Sequence, residues 1–111
     1  MAKVKAFWIS YDLGLKGDYS GMYLFLDTVN AKECGDSVAF FNKNYGEVTD
    51  YEKAVKDDIE KYVKLTSTDR IYLVYLREDT HKASGKFLYG GRKRSPWEGY
   101  ATTGAQTDED S

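Results

Sequence analysis

The chain has 111 residues, 41% of them hydrophobic and 31% charged, which fits one globular domain with one core and excludes a fully disordered chain. Sixteen Lys and Arg against eighteen Asp and Glu leave a net charge of −2, so a globally basic nucleic-acid binder is excluded while a local basic patch is not. One cysteine and one histidine exclude an internal disulfide and a zinc site, and no apolar run is long enough to span a membrane.

The opening residues MAKVKAFWISYDLG hold no long apolar stretch before a small-residue cleavage site, which predicts no signal peptide and a cytoplasmic chain. Val4 to Leu13, rich in aromatic and β-branched residues and closed by Gly14, predicts a strand. Phe7, Ile9 and Tyr11 share one of its faces and Ala6, Trp8 and Ser10 the other, as in a central strand. Asp18 to Asn30 predicts a helix with Asp18 as its cap and a stripe of Tyr19, Met22, Tyr23, Leu26 and Val29. Ala31 to Asn42 predicts a hairpin turning at Gly35-Asp36, with a short polar first arm suited to a sheet edge.

Thr49 to Lys64 predicts the second helix. Thr49 and Glu52 have the spacing of a capping box, and Tyr51, Val55, Ile59 and Tyr62 form an apolar stripe with Val63 beside it. Asp69 to Arg77 predicts a second central strand. Residues 78–85 read as a loop, and Lys86 to Tyr89 as a last short strand ended by Gly90-Gly91. The order β, α, β, β, α, β, β predicts an α+β, ferredoxin-like βαββαβ sandwich with an added C-terminal strand, its two helices on one face of a mostly antiparallel sheet. Residues 1–100 form that single domain, and 101–111, ATTGAQTDEDS, read as a disordered acidic tail. The helix-free face, carrying Trp, Tyr and Phe, then either pairs with a second copy or binds a partner.

Asp12 ends the first strand in SYDLG, a carboxylate at the sheet rim. Two copies meeting at a two-fold axis could hold magnesium there, the one cofactor the sequence admits, and magnesium serves phosphodiester chemistry. The alternative is a turn cap.

The strand ending ISYDL, the helix opening DYSGMY, the hairpin ending SVAFF and the strand DRIYLVYL together resemble the small CRISPR-associated protein two family and its toxin-like relatives, over about residues 6–77. The resemblance implies a ferredoxin-like protomer that pairs as a homodimer. It also implies either metal-dependent nuclease activity or a DNA-scaffolding role, with Asp12 as the rim aspartate. The segment after residue 78 departs from that pattern.

That segment is the second candidate. Lys86, Arg92, Lys93 and Arg94 interleave with Phe87, Tyr89, Trp97 and Tyr100, and from Lys82 to Tyr100 the charge is +4. Guanidinium groups clamp phosphate oxygens and aromatic faces stack on bases. The alternatives are a solvated basic turn, with Trp97 folded back over the core edge, and a purely solubilising role for the acidic tail. Cys34 has only the distant His81 as a potential base, while Glu33 and Asp36 could add oxygen ligands near Asp12.

These features predict a small non-catalytic binding module, homodimeric, engaging nucleic acid or a nucleotide phosphate through residues 86–100. The ligand-binding set is Lys86, Arg92, Lys93, Arg94, Trp97 and Tyr100. A magnesium-dependent nuclease with Asp12 as catalytic metal ligand, and a factor that binds and inhibits a protein partner, are the alternatives.

Overall fold

The computed structural model describes residues 4–77 and 79–101. The acidic tail expected at 101–111 therefore lies outside the described residues except for Ala101. The elements run β1 (Val4–Asp12), α1 (Tyr19–Thr28), β2 (Lys32–Glu33), β3 (Val38–Asn44), α2 (Tyr51–Glu60), β4 (Arg70–Leu76) and β5 (Ala83–Tyr89). All strand pairs are antiparallel, in the order β2-β3-β1-β4-β5. The result is an α+β fold with two helices and a five-stranded sheet, compatible with a ferredoxin-like arrangement.

Alternation along the strands decides the two faces. Phe7 stands opposite Phe41 on β3 and Tyr75 on β4, and all three are buried. Phe25 of α1 meets Phe41 edge-on at 5.7 Å, and Tyr51 of α2 lies 6.1 Å from both Phe7 and Tyr75. Both helices thus cover the same face. The other face presents Trp8, Ser10 and Asp12 of β1, with Arg70, Tyr72 and Val74 of β4.

Several expectations shift in detail. α1 buries Met22 and Phe25, whereas Tyr23 is exposed, so its apolar stripe is rotated from the one the spacing suggested. Asp50 caps α2, accepting from the Lys53 N–H at 3.0 Å, in place of Thr49. Glu52 is drawn away from a capping box because its carboxylate accepts from the Tyr75 hydroxyl at 3.0 Å and pairs with Lys86 at 3.2 Å. The last strand begins at Ala83, so the preceding loop is shorter than 78–85.

Asp58, on the helix face read as solvated, is buried. Its Oδ2 accepts from Lys43 Nζ at 2.5 Å and from the Tyr45 hydroxyl at 2.8 Å, which satisfies the charge where it is desolvated. Burial, reinforced by Asp58, raises the Tyr45 phenol far above its usual 10.0. Burial likewise raises Tyr11, and burial with a carboxylate partner raises Tyr75 and Tyr89.

Each of these phenols holds its proton more tightly when folded. Their contribution is complete below about pH 10, where unfolded tyrosine ionises, and is lost as pH rises through the elevated folded values. Thermal unfolding followed across that range should show a midpoint that falls steeply above about pH 10. A midpoint flat through that range would contradict the tyrosine burial.

Candidate functional site

The open sheet face has two ends. At one, β1, β4 and β5 frame a cavity of about 270 Å³ lined by Ser10, Asp12, Arg70, Tyr72, Phe87 and Arg92. At the other, Val4, Ala6, Trp8 and Leu76 form an apolar surface beside Lys5, Arg77 and His81.

The cavity is built by strand register. Asp12 stands directly opposite Arg70, and Ser10 opposite Tyr72. Arg70 donates from its guanidinium to Asp12 Oδ2 at 2.7 Å. That bond, with the weaker attraction of Arg70 and Lys93, holds the Asp12 carboxyl below its usual 3.8 against an opposing desolvation. Asp12 therefore stays ionised at neutral pH. The pair's contribution to stability is present above the ordinary carboxylate range and lost as pH falls through the lowered value. It is a small contribution, because Asp12 is exposed. Arg70 Nε is buried with no hydrogen-bond partner among the described residues, an arrangement that costs stability.

β5 supplies the aromatic wall through an irregularity. Tyr72 faces Phe87 while Ile71 faces Tyr89, so one extra residue, Leu88, is accommodated in β5. The bulge leaves Phe87 on the open face and turns both Leu88 and Tyr89 toward the helices. Leu88 enters the core, and the Tyr89 hydroxyl donates to Glu60 of α2. The Tyr72 and Phe87 rings meet edge-on at 4.8 Å. Gly90, at φ 71°, then folds the chain against Arg70, where a Cβ would strike the Arg70 side chain and the Asp69 carbonyl. The turn returns Arg92 over the face, its guanidinium carbon 5.6 Å from the centre of the Phe87 ring.

Gly85 is a second constrained position in β5 and its turn, since a Cβ there would collide with the Tyr72 hydroxyl and ring. Gly85→Ala is expected to push Tyr72 out of its edge-on contact with Phe87 with little loss of folding, seen as altered ring chemical shifts of both residues. Unchanged shifts in that variant would contradict the close approach.

The structure divides the expected ligand residues. Asp12 and Arg92 share the cavity, and Lys93 is near enough to lower the Asp12 carboxyl. Arg94 points to solvent, 3.7 Å from Glu98. Lys86 sits on the helix side of β5, paired with Glu52, and lies apart from Arg92. Trp97 and Tyr100 are displayed, at 71% and 72% exposure; Trp97 does not fold back over the core.

Sequence reasoning missed Arg70, Tyr72 and Ser10, although the alternation in DRIYLVYL already puts Arg70 and Tyr72 on one face. Cys34 lies in the turn after β2 and His81 in the turn before β5, at opposite edges of the sheet. Neither Glu33 nor Asp36 lines the cavity. Among the described residues no group of three or more His, Cys, Asp or Glu could hold a metal ion. Within one chain the donor set at Asp12 is a carboxylate already engaged by a guanidinium, which does not fit a magnesium site.

No protein-family model, curated protein or solved structure matches this chain, and nothing in those comparisons indicates a CRISPR-associated family.

Proposed function

We propose that this protein is a non-catalytic module on a ferredoxin-like scaffold that binds single-stranded nucleic acid across its open sheet face. The observation that carries the reading is the stack of Arg92 on Phe87 and Phe87 against Tyr72, beside the basic run Arg92-Lys93-Arg94. Bases have π-faces that such rings accept, and a phosphate backbone suits the guanidinium and ammonium groups that follow. The Trp8–Phe40 pair, 4.9 Å apart on the same sheet, lies beyond the cavity toward the apolar end of the face.

Titration with labelled single- and double-stranded DNA and RNA at two salt concentrations tests the reading. Single strands should bind more tightly than duplexes, with affinity falling steeply as salt rises. Magnesium should weaken binding only as a competing counterion does and should leave the strands intact. Tighter binding of duplex, salt-insensitive binding, or cleavage lost in Asp12→Asn would overturn it.

A second reading concerns the apolar end of the same face. Val4, Trp8 and Leu76 are exposed large apolar side chains gathered in one surface, which favours pairing of two copies there, in keeping with the homodimer that the resemblance implies. Sedimentation should give a dimer that Leu76→Lys dissociates. A monomer at all concentrations would reject the pairing and leave the cavity end unaffected.

A further inference from the structure

We propose that the Asp12 carboxylate, oriented by Arg70, recognises the Watson–Crick edge of a guanine held in the cavity of the open face. The inference rests on the single-strand reading above and adds a base preference to it.

A carboxylate is an unexpected group within a surface that binds a polyanion. It repels phosphate, so what meets Asp12 must be a hydrogen-bond donor. Ionised carboxylates accept only. Arg70 engages Asp12 Oδ2 at 2.7 Å, which orients the group; each carboxylate oxygen has two lone pairs, so Oδ1 and the second lone pair of Oδ2 remain to accept from a ligand in the cavity that Asp12 lines. The Arg70 hydrogen bond, with a lesser attraction from Lys93, lowers the carboxyl further below neutral pH, so it meets a ligand as an ionised acceptor.

The bases differ in what they offer such a group. Guanine presents two adjacent donors, N1–H and the 2-amino group. Adenine and cytosine present one amino donor next to a ring-nitrogen acceptor, which a carboxylate repels. Uracil presents one N–H flanked by two carbonyls. Guanine is the one common base whose edge matches two acceptor oxygens without a facing acceptor. The rings of Tyr72 and Phe87 line the same cavity and supply the surfaces on which a purine stacks. Asp12 thereby selects the base, while Arg92 and the residues after it hold the backbone.

The test uses the full chain and short oligouridines carrying one central guanosine, inosine, adenosine, cytidine or uridine. The guanosine strand should bind about tenfold more tightly than the adenosine, cytidine and uridine strands, with inosine, which lacks the 2-amino group, between them. Asp12→Asn should bring guanosine to parity with the others, with the fold checked by circular dichroism. Arg92→Ala should weaken every strand while preserving the guanosine preference. Equal binding of guanosine and adenosine strands by the unaltered protein would overturn the assignment and leave the single-strand reading standing. No binding to any strand would overturn both. A guanosine preference that persists in folded Asp12→Asn would transfer the recognition to another group. A guanosine-to-inosine ratio near one in the unaltered protein would overturn the recognition of the 2-amino group even where the variant fails to fold.

Discussion

Replacing Phe87 and Arg92 together with alanine is expected to lower affinity for single-stranded oligonucleotides by roughly thirty- to a hundredfold, since a base-stacking ring contributes about 1–3 kcal/mol and tenfold corresponds to about 1.4 kcal/mol. The two side chains touch, so their effects should be less than additive: once Phe87 is gone, Arg92 loses the ring that orients it. The single variants separate the roles. Arg92→Ala should reduce the slope of log affinity against log salt by about one, as a phosphate contact requires. Phe87→Ala should weaken binding without changing that slope. Phe87 is only partly buried on the open face and packs mainly on Tyr72, so the fold should survive its loss. Filter binding or fluorescence anisotropy at several salt concentrations measures all three. A double variant within about twofold of the parent protein would exclude stacking as the source of affinity.

The second large effect concerns what holds the cavity's frame. Asp69 is 1% exposed and accepts two backbone hydrogen bonds, from Gly14 N–H at 2.7 Å and Thr66 N–H at 2.8 Å. It ties the chain leaving β1 just beyond Asp12 to the chain entering β4 just before Arg70. Asp69→Ala leaves both amide donors without that partner, at about 1–3 kcal/mol each when fully buried. Both are partly buried, so the expected loss is about 2–3 kcal/mol, or roughly 10–20 °C in thermal midpoint for a domain of this size. Asp69→Asn retains one carbonyl acceptor and should lose distinctly less. Calorimetry compares the three proteins. A midpoint lowered by only a few degrees in Asp69→Ala would show that water replaces the carboxylate at little cost.

The scaffold was legible because its signals are periodic. Val4–Asp12 and Arg70–Leu76 carry apolar residues on both faces, as central strands do, and Val55, Ile59 and Val63 keep helical spacing through α2 and just past its end. Only part of the candidate site was legible. Asp12 and Arg92 could be singled out as charge at a strand end and charge after a glycine pair. Their cavity depends on the register that sets Asp12 opposite Arg70 and Tyr72 opposite Phe87, and on a bulge that turns Tyr89 inward beside Leu88. Neither a register nor a bulge leaves a local mark in a run such as GKFLYGG. The same limit explains Lys86: its neighbours in sequence are basic and aromatic, yet the pleat sends it to Glu52 on the other side of the sheet. Asp58 shows the complementary failure, since an acid on a charged helix looks solvated until Lys43 and Tyr45 arrive from β3 and the loop beyond it.

The most direct test is to map backbone amide chemical shifts by nuclear magnetic resonance while titrating the protein with a short single-stranded oligonucleotide. The largest changes should fall on Ser10, Asp12, Tyr72, Phe87 and Arg92–Arg94, with Val55 and Ile59 of α2 and Phe25 of α1 nearly unmoved. Changes concentrated on the helices, or none at saturating oligonucleotide, would contradict binding at the open face.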